Sequence, residues 1–397
     1  MENIKHLYFL SWEDLSYSRT GVLYHGLSGR NINYQAINFP KKNYLKTFKT
    51  LRKLKGEAGK QSIVVVGSPC SILAIICRAA WPQANIIYDS GWPLIDGLLS
   101  RKYSLMVKLF SYVKIYVVDF LAYKFSNLVS VESESQKRNT QRKFFVRKSK
   151  VFVSYTGFNE AGINALNSKA AELNKNLKQI IFRGKYNLES GLDFFAKASF
   201  FLNPEIRAIV VSTNLPSDLK FSPNVAIISK RLSDLELAQE YKNSVISLGQ
   251  LGNSRRTART IPHKFYESVY FEVPYLTRKS AGIKELLPSD DQVIYFENET
   301  PAEFAKLISE HLSNTQALSS RAEKAKAIYM SKFSQSQIVD NFISRAEKNA
   351  TLEIFNIEGK VILHEIIQKE ASIKIDFPKG IYFYRINEKT GKIALTN

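Results

Sequence analysis

The sequence predicts an α/β protein with two domains, each built on a buried parallel sheet, followed by a small all-β extension. Three observations carry this. Apolar runs of strand length alternate with helix-length segments from His6 to Ala350, the pattern of βα units. A polar, Asn/Lys/Ala-rich stretch from Asn159 to Lys178 interrupts that alternation and reads as a linker. From Thr351 onward, short alternating strands are separated by turns with Gly or Pro, which indicates a small β-sandwich. The domains expected are 1–158, a linker at 159–178, a second domain at 179–333, a further helix at 334–350 and the extension at 351–397.

In the first domain His6–Ser11 is a strand, followed by polar turn residues and a helix beginning near Gly21. Gly21, close behind the first strand, lets backbone approach a ligand, and His25 on that helix reads as a helix-surface or packing histidine. Ile32–Phe39 is a strand and Leu45–Leu54 a basic helix. Ile63–Val66 is a continuous apolar run ended by Gly67-Ser68-Pro69, as in a central strand buried on both faces. After the helix Ser71–Ala80, the strand Asn85–Asp89 ends in Asp89-Ser90-Gly91-Trp92-Pro93. Ligands bind beyond the carboxyl ends of strands in open α/β sheets, which makes Asp89 a catalytic candidate and Trp92 a surface for a sugar face. An Asx turn with Trp92 as core is the alternative. Leu99–Phe125 is a long helical region with Arg101, Lys102, Lys108, Lys114 and Lys124, either a core helix pair or a basic amphipathic surface for an anionic membrane. Asn127–Ser133, the helix Glu134–Lys143 and the strand and turn Val151–Phe158 close the domain.

The second domain opens with the strand Gln179–Phe182 and then Arg183-Gly184-Lys185, a short loop and Glu189-Ser190-Gly191, a layout that cradles phosphate. Strands at 208–212, 225–228 and 245–248 follow, with a helix at Ser233–Lys242 and a basic loop carrying Arg255, Arg256 and Arg259. The stretch Ile261–Leu287 is a compact helix–strand–turn–helix unit: Pro262 at a helix start, His263, Lys264 and Glu267 in that helix, the strand Tyr275–Thr277, and a turn at Ala281-Gly282. A helix start attracts phosphate, and a carboxylate one turn in can take two ribose hydroxyls. An ordinary corner with a solvated Lys and Glu fits the same residues. Strand 293–296 and helices at 301–312, 316–331 and 334–350 complete the α/β part.

Composition bounds the partners. The 397 residues are 45% hydrophobic and 23% charged, an ordinary globular balance. Lys and Arg number 56 against 36 Asp and Glu, a net charge of +20 that favours an anionic partner. Interleaved aromatic or groove-reading motifs are missing, so nucleic acid is not expected. The two cysteines, Cys70 and Cys77, lie two helical turns apart, too far to bridge, and five His and two Cys form no ligand-spaced cluster for a metal. The N-terminus MENIKHLYFLSWEDLS has no signal-peptide pattern. No run of about 18 uncharged apolar residues suggests a membrane span.

The quoted stretches resemble glycosyltransferase family 4, the retaining enzymes of GT-B fold. The matching residues are His263-Lys264, Tyr266-Glu267, Val273-Pro274, Ala281-Gly282 and Glu285-Leu286, with Ser133-Glu134 and Thr156-Gly157-Phe158 in the first domain. The resemblance implies two Rossmann-like domains facing a central cleft. It implies a nucleotide-diphosphate sugar as co-substrate without cofactor or metal, and a saccharide or lipid-linked acceptor in cell-surface glycoconjugate synthesis. Carried over residue by residue, Gly21, Arg183, Gly184, Lys185, His263 and Lys264 would face the donor phosphates, and Glu267 would bind the ribose. Gly282 and Ile283 would approach the sugar through backbone N–H groups. Asp89, Lys185 and Glu267 are then the catalytic candidates, with Trp92 and His25 for the acceptor. Two positions depart from the family: Ser190 stands where it usually has Lys, and Arg259 where it often has a second Glu. A catalytically weak GT-B scaffold is the alternative they favour.

The last residues resemble the C-terminal sorting domain of the type IX secretion system, through Phe355–Lys360, Phe377–Phe383 and Gly391-Lys392. That export route needs a signal peptide. The expectation is therefore a fused β domain on a cytoplasmic protein, with peripheral docking at the inner face of the cytoplasmic membrane as an option.

Overall fold

The computed structural model describes residues 6–12, 15, 19–40, 43–54, 62–99, 105–160, 163, 178–254, 256–347, 349–355, 358, 361–368, 380–386 and 389–395. Most of the expected linker, Arg255 and the expected strand Ser372–Ile375 lie outside these residues.

The first sheet contains β1 (His6–Ser11), β2 (Tyr34–Asn38), β3 (Ser62–Gly67), β4 (Asn85–Gly91), β5 (Leu128–Val131) and β6 (Val151–Val153). They are parallel throughout, in the order β2-β1-β3-β4-β5-β6. The second sheet contains β7 (Gln179–Arg183), β8 (Arg207–Val211), β9 (Val225–Ile228), β10 (Ile246–Leu248), β11 (Tyr275–Arg278) and β12 (Ile294–Phe296). It too is parallel, in the order β12-β11-β10-β7-β8-β9. The run Ile63–Val66 is buried along its whole length because helices cover both faces of the sheet.

In each sheet the chain adds strands to one side and then jumps to the other. The reversal lies between β1 and β3 in the first sheet and between β7 and β10 in the second. Such switch points leave a crevice at the carboxyl ends of the two strands, and the one between β7 and β10 holds the second-domain part of the site described below.

Local signals account for the helix ends. The helices Asp234–Lys242 and Pro301–Leu312 start with full capping boxes, from Ser233 and Glu236 and from Thr300 and Glu303. Within the helical region expected over Leu99–Phe125 the helix Leu105–Phe125 is observed, and a short helix, Leu94–Leu99, precedes it. The helix expected to begin near Gly21 begins at Arg19, and the turn expected at Ala281-Gly282 is already the start of a helix, Ala281–Leu286. The helix Thr315–Ile328 passes through a π-helical turn, Tyr329–Phe333, into Gln335–Glu347. This last helix returns to the first domain, where Ile338, Val339, Phe342, Ile343 and Ala346 join the core beneath β1 and β3.

The extension is a single antiparallel sheet among the described residues, not a sandwich. Its strands β13 (Asn349–Phe355), β14 (Val361–Gln368), β15 (Gly380–Ile386) and β16 (Lys389–Leu395) pair in the order β14-β13-β15-β16. Lys389-Thr390-Gly391, expected as a connection, opens β16.

Candidate active site

On the second-domain side, the site is built at the carboxyl ends of β7 and β10. The helix His263–Tyr270 follows Pro262, its N-cap, and is buried from Lys264 onward. Lys264 sends its Nζ to the Gly249 carbonyl at 2.5 Å, just beyond β10, and lies 4.0 Å over the Phe182 ring of β7. Burial and the nearby Arg183 pull its ammonium down to about 7, against the attraction of Glu267. An incoming phosphate would restore the charge. Glu267 accepts from the Tyr241 hydroxyl at 2.8 Å, and the Arg183 guanidinium lies 3.3 Å from its other oxygen. Enclosure lowers the His263 imidazole to about 4, so it stays neutral at pH 7, and its Nε2 has no hydrogen-bond partner among the described residues.

The phosphate-cradle loop is bent in a way the sequence does not show. Ser190 is buried and donates its hydroxyl to the Asn187 carbonyl at 2.7 Å, while its N–H bonds the Asn187 side chain. It closes the loop on itself and does not stand in for a second basic residue. Lys185 is exposed at the rim. The loop is strapped to residues 251–252 by two backbone bonds, Leu251 N–H to Ser190 O at 3.1 Å and Gly252 N–H to Glu189 O at 3.2 Å.

On the first-domain side, Asp89 is completely buried in β4. It receives the Arg19 guanidinium at 2.6 Å, the Thr20 hydroxyl at 2.8 Å and the Ser130 hydroxyl. All its capacity is spent inside the domain, so Asp89 does not touch a reacting group; it positions Arg19. Removing one partner of such a buried pair costs about 3–5 kcal/mol. Arg19 keeps Nη1 buried and without a partner among the described residues. Glu132, directly after β5, is 4% exposed, and its Oε1 is likewise unpartnered. Burial raises its carboxyl to about 7, although Arg256, Arg19 and the Thr260 hydroxyl favour the charged form.

The loop between β10 and the helix at His263 bridges the two halves. Arg256 pairs with Glu189 at 3.1 Å and lies 3.8 Å over the Trp92 ring. Arg259 reaches Asp96 at 3.0 Å, and its carbonyl accepts the Ser133 hydroxyl at 2.9 Å. The Glu285 carboxylate caps the Glu134 N–H at 3.0 and 2.8 Å and takes the Tyr155 hydroxyl at 2.9 Å. These contacts draw the carboxyl ends of both sheets together.

Several expected contacts are redirected. Gly21 lies inside the helix Arg19–His25, buried in its first turn, and offers no loop backbone to a ligand. His25 ends that helix about 9 Å along the axis from Arg19 and packs on the Tyr24 ring. The Gly282 N–H bonds the Ala258 carbonyl at 3.3 Å and the Ile283 N–H bonds its Ser280 cap at 3.2 Å, so neither is available to a sugar. The Arg256 guanidinium covers one face of Trp92. Arg183, Gly184, His263, Lys264 and Glu267 do come together at the switch point. Arg19 and Glu132 were missed. The strand-end rule that selected Asp89 also selects Glu132, one residue past β5.

Comparison with known proteins agrees with this architecture. Residues 194–344 match the family model described as Glycosyl transferase-like, and residues 334–395 match the Secretion system C-terminal sorting domain. No curated protein matches the chain. Among solved structures, HepE of Anabaena in complex with UDP and glucose superposes with a TM-score of 0.62 at 14% identity, over 86% of this chain and 99% of that one. Sucrose-phosphate synthase of Thermosynechococcus elongatus gives 0.66 at 10% identity, over 85% and 97%. The E. coli trehalose-6-phosphate protein bound with UDP-2-fluoro glucose gives 0.62 at 11%, over 87% and 99%. The chain has the GT-B fold, and its residues 194–344 and 334–395 are similar to those two families. The sorting domain also corrects the expected location: it points to a protein sorted for secretion across the membrane, not to a cytoplasmic one.

Proposed function

We propose that this GT-B protein transfers a sugar from a nucleoside-diphosphate sugar to a saccharide or lipid-linked acceptor, with retention, in the synthesis of a cell-surface glycoconjugate. The observation that carries the reading is the convergence of Arg183, Lys264, His263 and Glu267 on the β7/β10 switch point. Glu267 would hold the ribose hydroxyls, with Lys264, Arg183 and Lys185 around the diphosphate. In the transfer, the acceptor oxygen bonds to the anomeric carbon on the face from which the phosphate oxygen leaves. The acceptor proton passes to that leaving oxygen. Positive side chains stabilise the departing diphosphate, so no metal is called for in this reading. The UDP and UDP-sugar described with HepE and the trehalose-6-phosphate protein support a uridine donor.

A thermal-shift panel of UDP-, GDP-, ADP- and CMP-sugars tests it. At a ligand concentration 100 times its Kd, a bound donor stabilises by about 2.7 kcal/mol, and the expected outcome is a rise in Tm of several degrees with a UDP-sugar. No shift with any donor at millimolar concentration would instead favour a non-catalytic scaffold. That second reading has its own support in the self-closed Ser190 loop and the spent N–H groups of Gly282 and Ile283.

The lipid-linked side of the proposal has a surface to match. Met106, Phe110, Val113 and Val117 recur at helical spacing on Leu105–Phe125 and are 46–74% exposed. Lys114 and Lys124 on the same helix, and Arg147 and Lys148 further along the chain, are exposed as well. Burial and the neighbouring Lys124, Arg78 and Arg147 charges pull Lys150 down to about 8, a crowding that an anionic surface would relieve. No described helix is long and apolar enough to span a bilayer. The protein is expected to sediment with phosphatidylglycerol vesicles and not with phosphatidylcholine vesicles, to be released by high salt, and to lose binding in Phe110→Ser/Val117→Ser. Equal recovery with neutral vesicles, or none with either, would remove this surface from the proposal.

A further inference from the structure

We infer that Glu132, Arg19, Arg256 and Thr260 form a hydrogen-bonding subsite for the hydroxyl groups of a neutral saccharide acceptor, with Glu132 as its positioning carboxylate. The inference rests on the glycosyltransferase reading above and specifies the half of the site which that reading leaves open.

Four polar atoms from two domains meet here: Arg19 Nη1, Glu132 Oε1, Arg256 Nε and Thr260 Oγ1. Each is buried and makes no close hydrogen bond among the described residues, although the Thr260 hydroxyl lies near enough to Glu132 to favour its charged form. Arg19, Glu132 and Thr260 are 8%, 4% and 7% exposed. Buried polar atoms are nearly always paired, because an orphan costs about 1–3 kcal/mol. The Arg19 Nη1 and Arg256 Nε groups, left without partners beside the loosely paired Glu132 and Thr260, therefore mark a place where a polar ligand completes the bonding. The corner is rigid: the Glu132 N–H is tied to the Gly91 carbonyl at 3.2 Å, and Arg19 is held by Asp89.

The donor types identify the ligand class. Two guanidinium N–H groups donate, a carboxylate oxygen accepts and a hydroxyl does both, which suits adjacent hydroxyl groups. The charges do not suit an anion. Arg19 is neutralised by Asp89 and Arg256 by Glu189, which leaves Glu132 as the net charge of the group. Asp96, the next carboxylate facing Glu132, is itself held by Lys143 at 2.8 Å and Arg259 at 3.0 Å. The Tyr266 hydroxyl on the neighbouring helix stays protonated, and it donates no positive charge. The cationic character of the cleft lies instead around Arg183, Lys185 and Lys264, on the donor side. A phosphorylated or acidic sugar would meet Glu132 unpaired; a neutral one would complete it.

Glu132→Gln keeps the shape and removes the charge; Thr260→Val removes a second bond from the other domain. The assay follows binding of neutral mono- and oligosaccharides and of matched sugar phosphates by ligand-observed NMR, in the presence of UDP, with UDP affinity measured in parallel. Neutral saccharides are expected to bind the wild type, to weaken about 10- to 100-fold in Glu132→Gln and less in Thr260→Val, with UDP affinity unchanged. Binding to the wild type should strengthen as pH rises through about 7, where Glu132 ionises, and the profile should flatten in Glu132→Gln. Preference for sugar phosphates, unchanged saccharide binding in both variants, or no saccharide binding by a wild type that holds UDP would each overturn the inference. A wild type that binds saccharide through Glu132 but no nucleotide would overturn the donor assignment and leave this subsite standing.

Discussion

Glu267→Ala is expected to reduce sugar transfer by at least about 100-fold while the protein still folds. The carboxylate is 2% exposed and joins Tyr241 on one side to Arg183 on the other. Each charge-assisted hydrogen bond to a ribose hydroxyl is worth about 1.5–3 kcal/mol, and two lost together amount to roughly two to four powers of ten in binding and turnover. The truncation also leaves the Arg183 guanidinium and the Tyr241 hydroxyl without their partner, a stability cost of about 1–3 kcal/mol. The check is kcat/KM for the donor alongside urea unfolding. Wild-type turnover in the alanine variant would remove Glu267 from the donor site. Glu267→Gln separates the two effects: it keeps a hydrogen-bonding group for Tyr241 and loses the charge, so stability should largely recover while transfer stays depressed.

Gly252→Ala is expected to have the larger effect on stability. A Cβ at position 252 would stand 2.0 Å from the Leu188 carbonyl oxygen and 2.9 Å from that of Glu189. Both are backbone atoms that no side-chain rotation can move aside. Gly191 on the opposing loop has φ +63°, and a Cβ there would meet the Gly252 nitrogen at 2.3 Å. The two loops touch backbone to backbone, and any side chain between them forces the phosphate cradle away from β10. Overpacking of this kind costs about 1–3 kcal/mol and more where backbone must shift. The measured outcome should be a loss of that size in the unfolding free energy, with a weakened response to UDP-sugar. A Gly252→Ala variant with wild-type stability would mean that the two loops separate readily.

How much of this was legible beforehand can be read from particular residues. Ser71–Ala80 and Pro301–Leu312 fall where periodicity and capping place them, because a helix is specified by neighbours three and four residues away. Asp89 was expected to end its strand; the strand runs on to Gly91, and Asp89 holds Arg19, 70 residues away in the chain. Ser190 looked like a lost phosphate contact; in the fold it is a loop staple. Arg259 looked like a lost carboxylate; in the fold it ties Asp96, 163 residues away. Gly282 and Ile283 drew attention for their free N–H groups, which a carbonyl from the preceding loop and a serine cap consume.

The chain's own order of apolar runs, turn residues and caps determined that there are two buried parallel sheets, a last helix and a β extension. Those features depend on interactions within a turn or a strand, which a linear pattern encodes. Only the tertiary structure decided which polar groups are already satisfied and which are not. Hydrogen-bond satisfaction is a property of neighbours in space: Glu132, Arg19 and the loop carrying Arg256 and Thr260 are three separate segments, and the state of their polar atoms becomes visible only once both domains close around them.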